Sequence, residues 1–313
     1  MLQLVDLAGV YYRAFYALPS SLRSPSGMPV NAIRGSLDIM ARMAVECRPT
    51  HLVACLDLDW RPDFRVAAIP SYKAHRVLTV GEESAVSDTG VDVEDEPDDL
   101  GPQIPVLLSV LAAIGIPTAG AVGYEADDVI GTLAAHADQA VEVVTGDRDL
   151  YQVATDGPPP VVVRYIGAGI SKMEVLDAAG VAAKYSIPAG SYADFAALRG
   201  DPSDGLPGVP GVGDKTAATL ISTYRSLEGL IEAIDDPKSG LTSAQRRKFA
   251  ASRDYLAVAG TVVRVATDAA VVHNPAPELA IPTEPADPGR LAELIVEYGI
   301  GASVNRMLKA LNP

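Results

Sequence analysis

Three carboxylates stand directly ahead of an apolar run that has helical spacing. They are Glu125, Asp127 and Asp128, in the stretch Gly123-Tyr-Glu-Ala-Asp-Asp-Val-Ile-Gly-Thr-Leu133. Acidic residues in a first helical turn interact favourably with the helix dipole, which accounts for one or two of them. Glu125 and Asp128 lie on nearly one helix face, where like charges repel unless one is protonated or a cation lies between them. Three acids in four positions therefore favour a cation site over simple capping.

Six further carboxylates stand where other predicted elements end or begin. Asp6 and Asp57 end two predicted strands, and Asp147 and Asp149 follow a third. Strand ends that carry Asp predict a parallel α/β sheet, whose ligands collect outside the carboxyl edge. The remaining pair precedes a glycine-rich hairpin. The full set of candidate metal ligands is Asp6, Asp57, Glu125, Asp127, Asp128, Asp147, Asp149, Asp201 and Asp204.

If these nine acids converge on one pocket, they suit a hard divalent cation. Carboxylate oxygens are ligands for Mg²⁺ or Mn²⁺, whereas four His and two Cys offer no matching set for zinc. Two metal ions about 4 Å apart can activate a water and stabilise both oxygens of a phosphoryl displacement. Such a reaction needs no serine or cysteine nucleophile.

The negative charge of the chain is concentrated in one segment. The net charge is −15, and residues 77–147 contain 15 acidic residues and no Lys or Arg, so the rest of the chain has 25 acidic and 25 basic residues. Net charge therefore does not exclude a polyanionic partner. No apolar run is long enough for a bilayer, and the N-terminus lacks a signal-peptide pattern. We expect a cytoplasmic protein in which Cys47 and Cys55 are buried thiols.

Two segments could contact an anion. Residues 61–76 are basic and aromatic, which fits either a solvated loop or a surface where cations meet phosphates and a tyrosine stacks on a base. Residues 208–213 form a glycine-rich hairpin before a helix that opens at about Lys215, and backbone N–H groups there point at an anion. The spacing fits neither a Walker motif nor a dinucleotide fingerprint, and it favours a helix–hairpin–helix on a DNA phosphate.

Several motifs occur together in an order found in one family. They are Val5-Asp6 with Tyr12-Arg-Ala-Phe15, Asp57 with Phe64-Arg65, Tyr72-Lys-Ala-His-Arg76, Gly123-Tyr-Glu-Ala-Asp-Asp128, Thr145-Gly-Asp-Arg-Asp-Leu150, and residues 200–218. In this combination the chain resembles the bacterial flap endonuclease / 5′-3′ exonuclease family, which is similar to the 5′-nuclease domain of DNA polymerase I. The resemblance runs from about residue 1 to the C-terminus.

The resemblance implies an α/β fold with a PIN-like core, in which helices flank a central, mostly parallel sheet. The core would span residues 1–186 and include a helical arch or loop at about 72–104. A helix–three-turn–helix region that binds DNA would span residues 187–258. Residues 259–313 would return to the core as helices and a strand, which we place at residues 262–265.

The family's activity implies a structure-specific, metal-dependent 5′ nuclease of DNA replication and repair. It would act on DNA flaps, nicks, gaps and 5′ ends, and on RNA primers in hybrids, as a monomer at the nucleoid. Its products would carry 5′-phosphate and 3′-hydroxyl ends. A PIN-type ribonuclease and a non-catalytic DNA-junction binder remain alternatives.

The resemblance also implies roles for individual residues. Asp127, Asp147 and Asp149 would lead one metal site and Asp201 with Asp204 the other, while Asp6, Asp57, Glu125 and Asp128 would bind directly or through water. Lys73 and Arg76 would contact the scissile phosphate and form the catalytic group with Asp127 and Asp147. Tyr72 would stack near that phosphate, and Arg13 and Arg65 would touch DNA. Gly208, Gly211, Gly213 and Lys215 would hold the duplex backbone, with K⁺ at the hairpin.

Two departures from the family pattern affect local expectations. Leu7 stands where the family usually has a glycine after the first Asp. An acidic run at residues 82–99 occupies the position of the arch, where cations would be expected to guide a single strand. Its composition predicts a mobile loop. We expect it to form an acidic rim that repels misplaced DNA.

Overall fold

A mixed sheet of seven strands forms the centre of the computed structural model, which describes residues 1–80, 83–87, 92–274 and 279–312. Its strands are β1 (Leu2–Asp6), β2 (His51–Cys55), β5 (Thr118–Gly120), β6 (Val141–Thr145), β7 (Val161–Tyr165), β8 (Glu174–Leu176) and β9 (Val272–Asn274). The spatial order is β8-β7-β6-β1-β2-β5-β9. All neighbours from β7 to β5 are parallel, and only the two edge pairs are antiparallel. The expected mostly parallel α/β core is confirmed.

Helices cover both faces of this sheet. One face carries α1 (Leu7–Ala17), α2 (Asn31–Cys47), α4 (Gln103–Ile114), α12 (Pro288–Tyr298) and α13 (Gly301–Leu311). The other carries α3 (Asp63–Ala68), α5 (Ala126–Ala135), α6 (Ala178–Tyr185), α7 (Tyr192–Arg199), α8 (Asp214–Tyr224), α9 (Leu227–Asp235), α10 (Ser243–Ala251) and α11 (Arg253–Val263). Leu4 faces one apolar core and Val5 the other, so the central strands read as continuous apolar runs. Within the described residues, no helix is long and apolar enough to span a bilayer.

The direction of the chain across the sheet reverses beside β1. From β1 the chain proceeds to β2 and β5, and it then returns to the opposite side of β1 to form β6 and β7. The crevice outside the carboxyl ends of strands at such a switch point is where α/β sheets bind ligands. Asp6 ends β1 and Thr145 ends β6, so the switch point lies at the predicted acids.

The C-terminal segment contacts helices and the edge strand of the core, and its strand lies elsewhere than predicted. α13 packs on α2, α12 packs on α4, and β9 pairs antiparallel with β5. The strand prediction at residues 262–265 is wrong because α11 continues to Val263. A short apolar run does not separate a strand from the last turn of a buried helix, and Val262 and Val263 are buried in that turn.

The stretch at the expected arch contains no α-helix in its described residues. It forms a 3₁₀ turn at Ala74–Arg76 and a hairpin of β3 (Thr79–Val80) and β4 (Glu83–Ser84) before α4 begins. Of the two expected forms, an arch or a loop, these residues form a loop with a short hairpin, since β-branched, Gly, Pro and Asp residues there have weak helix propensity. Of the acidic run at 82–99, residues 82 and 88–91 lie outside the described residues.

Candidate active site

An open cleft of about 420 Å³ lies at the carboxyl edge of the sheet. Five of the nine predicted metal ligands line it, namely Asp6, Asp57, Glu125, Asp127 and Asp147. The other walls come from α1 and from the segment around the 3₁₀ turn, and they contribute Tyr12, Arg13, Tyr16, Trp60, Lys73, Arg76 and Glu94. Acids and cations thus face one solvent-filled space.

Two further pockets adjoin this cleft and share its central acid. Asp149 and Asp204 line a small one, and Asp201 lines an open one of about 420 Å³. Asp147 lines all three, and eight of the nine acids, Asp147 included, line at least one of them. Of the nine acids, only Asp128 lines none of these three pockets, so the other acids gather in one region at the carboxyl edge of the sheet. Among the described residues, no three His, Cys, Asp or Glu side chains stand in a ready-made metal-binding arrangement.

Hydrogen bonds between β1 and β6 position the acids at the switch point. Asp6 caps α1 by accepting from the Gly9 N–H at 2.8 Å, and it also accepts from the Thr145 hydroxyl at 2.9 Å. The same hydroxyl accepts from the Asp147 N–H at 2.9 Å. A Cβ on Gly9 would lie 2.2 Å from an Asp6 carboxylate oxygen, so this approach requires glycine. Thr145 is a positioning residue that the sequence did not single out.

The N-terminus of α5 brings the β2 acid to the same place. The Asp57 carboxylate accepts from the Ala126 N–H at 2.6 Å. Burial between the cleft walls, together with the charges of Glu125 and Asp6, raises the pKa of Asp57, although the residue stays exposed through the open side. Burial and the charges of Asp147 and Asp6 likewise raise the pKa of Asp127 well above its usual value.

The acids destabilise one another's charged forms across the whole site. Burial, with repulsion from neighbouring carboxylates, raises the pKa of Asp147, of Asp149 and, to about 6, of Asp204. Oxygen donors that repel one another are stabilised by a divalent cation, and hard cations prefer such donors. The residues therefore fit Mg²⁺ or Mn²⁺ by their chemistry and electrostatics rather than by preformed coordination.

Two predicted site residues form a buried ion pair instead. Arg65 is only 2% exposed and donates from both terminal nitrogens to Asp128, each at 2.7 Å. Asp128 is fully buried and also accepts from the Ala266 N–H at 2.8 Å. The expectations that Asp128 binds metal and that Arg65 contacts DNA are wrong, because Asp128 lines none of the three pockets and Arg65, which borders the small one, is buried and paired with Asp128 and Glu125.

Glu125 is held by three side chains. Arg65 donates to one carboxylate oxygen at 2.5 Å, Tyr72 donates to the same oxygen at 2.7 Å, and Lys73 pairs with the other. Burial acts to raise the pKa of Glu125, but Lys73 and Arg65 outweigh it and the pKa is lowered. Tyr72 is 4% exposed, so the expectation that its ring stacks on a base is wrong for this structure.

The cleft cations have partners within the protein. Lys73 pairs with Glu125, whereas Arg76 donates to an Asp204 carboxylate oxygen at 3.1 Å and to the Ser203 carbonyl at 2.8 Å. Arg13 donates to the Gly167 carbonyl. Lys73 and Arg76 thus link the segment around the 3₁₀ turn to the acids, and an incoming phosphate would compete with carboxylates for both of them.

The glycine-rich hairpin divides into a buried and an exposed half. Gly208 is buried with φ of +64°, and a Cβ there would lie 2.5 Å from the Arg199 carbonyl oxygen. Because Gly208 is packed against Arg199 and Gly200, the expected DNA contact at this residue is wrong. Gly211, Gly213 and Lys215 are exposed around the start of α8. Lys248, from α10, lies beside Gly211 and adds a further cation to this surface.

Sequence reasoning also missed an acidic contact at the cleft. The Tyr12 hydroxyl donates to Glu94 at 3.0 Å and to Glu96 at 3.1 Å. In the sequence, Tyr12 stands out only as part of the motif Tyr12-Arg-Ala-Phe15. No local signal connects it to acids more than eighty residues away, because the contact arises from the fold.

Comparisons with known proteins show the family of this chain. Residues 1–186 match the family described as 5′-3′ exonuclease, N-terminal resolvase-like domain, and residues 187–285 match its C-terminal SAM fold. A 5′-3′ exonuclease of Streptomyces coelicolor is 49% identical over 308 residues, which cover 98% of this chain and 99% of that protein. DNA polymerase I of Mycobacterium tuberculosis is 38% identical over 253 residues, covering 80% of this chain and 26% of the polymerase.

A solved structure shares the fold at low sequence identity. The flap endonuclease of bacteriophage T5, in a pseudo-enzyme–product complex with DNA and metal ions, superimposes with a TM-score of 0.60. The match covers 100% of this chain and 99% of that one at 16% identity. The expected combination of a PIN-like core and a helical C-terminal domain is confirmed.

Proposed function

Because the chain belongs to the 5′-3′ exonuclease family, we propose that it is a divalent-metal-dependent 5′ nuclease acting on DNA flaps, nicks, gaps and 5′ ends. Cleavage leaves 5′-phosphate and 3′-hydroxyl ends. The observation that carries this proposal is the position of Asp147, which joins three acid-lined pockets at the switch point of the sheet. Cations and acids both face this space, as a site for a polyanion and divalent ions requires.

The carboxylates around Asp147 divide into two proposed ligand groups. Asp127, Asp147 and Asp149 lead one group, and Asp201 with Asp204 leads the other. Asp6, Asp57 and Glu125 complete the set directly or through water. When bound, Mg²⁺ or Mn²⁺ would lower the pKa of a water and stabilise charge on the phosphate oxygens. Thr145 fixes the positions of Asp6 and Asp147 relative to each other, because its hydroxyl forms a hydrogen bond with both residues.

The cleft cations act on the phosphate. Lys73 and Arg76 exchange their present partners, Glu125 and Asp204, for phosphate oxygens of the scissile nucleotide. Positively charged donors aimed at developing negative charge lower the barrier most when they are preorganised, and the left-handed backbone at Lys73 (φ 48°) directs this side chain into the cleft wall. Arg13 on α1 contacts the same strand from the opposite wall.

The helical region holds the duplex. Gly211, Gly213 and Lys215 present N–H groups and a cation to one phosphate backbone, and the hairpin at residues 208–213 would hold a K⁺ ion, which would add positive charge beside that backbone. Residues 1–186 then form the nuclease core, 187–258 the duplex-binding region and 259–313 the segment that closes the core. The enzyme acts as a monomer in the cytoplasm, at the nucleoid, and also removes RNA primers from hybrids.

The decisive experiment replaces the central acid. Asp147→Asn should lower cleavage of a 5′-flap duplex in Mn²⁺ by about 10³-fold or more, since it removes ligand charge from every pocket. Affinity for the same DNA in Ca²⁺ should change little. Asp138→Asn removes an exposed charge at the opposite edge of the sheet and should leave cleavage unchanged. Full activity in Asp147→Asn would contradict the assignment.

A second experiment separates catalysis from binding at the cations. Lys73→Ala or Arg76→Ala should lower kcat by about 10²-fold or more, because each loses charge stabilisation during the reaction. The dissociation constant in Ca²⁺, measured by fluorescence anisotropy, should change much less. Equal losses in kcat and affinity would reduce both residues to ordinary phosphate contacts.

A further inference from the structure

Part of the acidic run is a fixed element beside the cleft. Residues 92–96, here named the acidic strap, are hydrogen-bonded to the hairpin segment on both sides. The Leu78 N–H donates to the Val93 carbonyl at 2.8 Å, the Val93 N–H donates to Ala85 at 2.9 Å, and the Asp95 N–H donates to the Arg76 carbonyl at 2.7 Å. The strap is therefore attached to the segment that carries the cleft cations.

The first residue of the strap is anchored by two side chains. The Trp60 indole N–H donates to the Asp92 carbonyl at 2.7 Å, and Arg61 forms an ion pair with the Asp92 carboxylate. Arg61 also donates to the Tyr72 carbonyl at 2.7 Å. These contacts hold this end of the strap against the same wall of the cleft as Lys73.

The other contact of the strap crosses to the opposite wall. Tyr12 projects from α1, and its hydroxyl donates to both Glu94 and Glu96 at 3.0 and 3.1 Å. Tyr12, Glu94 and Arg76 all line the cleft. The strap is thus bonded to α1 at one point and to the Arg76 segment at another, and it bridges these two walls of the cleft.

This bridge carries two carboxylates that are not among the proposed metal ligands. Glu94 and Glu96 contact a phenol, and neither belongs to the acids around Asp147. Burial raises the pKa of Tyr12, and the charges of both glutamates raise it further, so the phenol stays protonated and keeps its hydrogen bonds. A phosphodiester strand that continues between α1 and the Arg76 segment must pass two carboxylates and displace this contact.

We propose that Tyr12, Glu94 and Glu96 form a clasp that selects substrates by the length of their 5′ single strand. A nick, or a flap of one nucleotide, ends inside the cleft and does not meet the clasp. A long flap places further phosphates against Glu94 and Glu96 and requires the clasp to open. This inference rests on the proposed function, and it makes the chain more active on short 5′ arms than on long ones.

The test compares flap duplexes that carry a one-nucleotide and a twenty-nucleotide 5′ arm. For the wild type, kcat/KM should be lower on the long arm. Glu94→Gln combined with Glu96→Gln keeps the shape and removes both charges, and it should raise the long-to-short ratio of kcat/KM by about 3- to 10-fold at low salt. The gain should shrink as salt screens the charges.

Two further variants show whether the effect comes from the charges of Glu94 and Glu96, from their contact with Tyr12, or from the net charge of the protein. Tyr12→Phe opens the clasp but keeps both acids, so it should raise the ratio by less than the double glutamine variant. Asp138→Asn combined with Asp156→Asn removes the same net charge from exposed positions at the opposite edge of the sheet and should leave the ratio unchanged. Fluorescence anisotropy of a duplex with the labelled long arm, measured in Ca²⁺, should rank the affinities of these proteins in the same order as their long-to-short ratios of kcat/KM.

The outcomes distinguish this inference from the proposed function. If the wild type cleaves neither substrate in Mg²⁺ or Mn²⁺, the proposed function fails and the clasp fails with it. If the wild type cleaves both and the double glutamine variant keeps the wild-type ratio, only the clasp is overturned. The clasp would also be overturned if the control variant, Asp138→Asn combined with Asp156→Asn, changed the ratio as much as the double glutamine variant does. The effect would then reflect net charge alone.

Discussion

Neighbouring acids in this chain have different environments at the scale of single residues. Asp127 and Asp128 are adjacent, yet Asp127 lines the cleft while Asp128 is fully buried and paired with Arg65. Consecutive residues in a helix differ in direction by roughly 100°, so one faces the switch point and the other faces α3 and α11. A cluster of acids in a sequence can therefore combine ligands with structural anchors.

The buried ion pair predicts a large stability cost. Arg65→Ala leaves Asp128 and Glu125 without their shared cation, and losing one partner of a buried pair typically costs about 3–5 kcal/mol in the free energy of unfolding. Urea denaturation measures this loss. The exposed pair of Arg306 and Asp38 is the matched control, and Asp38→Asn should cost less than about 1 kcal/mol. Similar losses in both variants would contradict the structural role of Arg65.

Single elements decide which half of the hairpin can face DNA. Gly208 turns inward against Arg199 and Gly200, whereas Gly213 is exposed and caps α8. The sequence shows glycines at regular intervals, and spacing alone does not reveal which of them allow close packing within the protein and which leave N–H groups open.

Alanine substitutions distinguish these two roles. Gly208→Ala combines a positive φ with a Cβ 2.5 Å from a backbone oxygen, so the free energy of unfolding should fall by about 1–3 kcal/mol or more. Gly213→Ala meets nothing within 4 Å and has a negative φ, so stability should change by less than about 0.5 kcal/mol. Thermal denaturation of both proteins checks this, and equal midpoints would contradict the packed position of Gly208.

The start of α8 predicts a salt-dependent contribution to DNA affinity. Lys215 is exposed beside the hairpin, and its loss should weaken binding to duplex DNA and lower the slope of log K against log salt by about 1. Lys309→Ala, in the last turn of α13, removes an equal charge on the other face of the sheet and should leave the slope unchanged. An unchanged slope in Lys215→Ala would argue against the hairpin as a docking site.

At the scale of the whole molecule, the net negative charge and the local positive charges have different roles in binding DNA. A net charge of −15 would repel DNA if it were evenly distributed, but exposed cations stand at the start of α8, and paired cations line the cleft beside the proposed metal ligands. Long-range repulsion then disfavours misplaced contacts, while local contacts and bound divalent ions provide the attraction.

The C-terminal helix contributes to stability at this scale. α13 packs on α2, and Val304 and Met307 are fully buried in one cluster with Met40. A chain that ends before Gly301 should lose more than about 5 kcal/mol of unfolding free energy, since each exposed large aliphatic side chain costs about 2–5 kcal/mol. A chain that ends at Leu311 keeps the helix and is the control. Cooperative unfolding of the shorter chain at the control's urea midpoint would contradict this expectation.

The sequence by itself determined the family, the α/β class and the chemistry of the site. Those features rest on local patterns: apolar strands that end in Asp, a hairpin before a helix, and acids that suit divalent cations. Tertiary structure alone decided that Arg65 and Asp128 are buried, that Tyr72 holds Glu125, and that Asp147 lies between three pockets. It also decided the contact of Tyr12 with Glu94 and Glu96. Such contacts join residues far apart in the chain, and their energies depend on burial and on neighbours that no local pattern encodes.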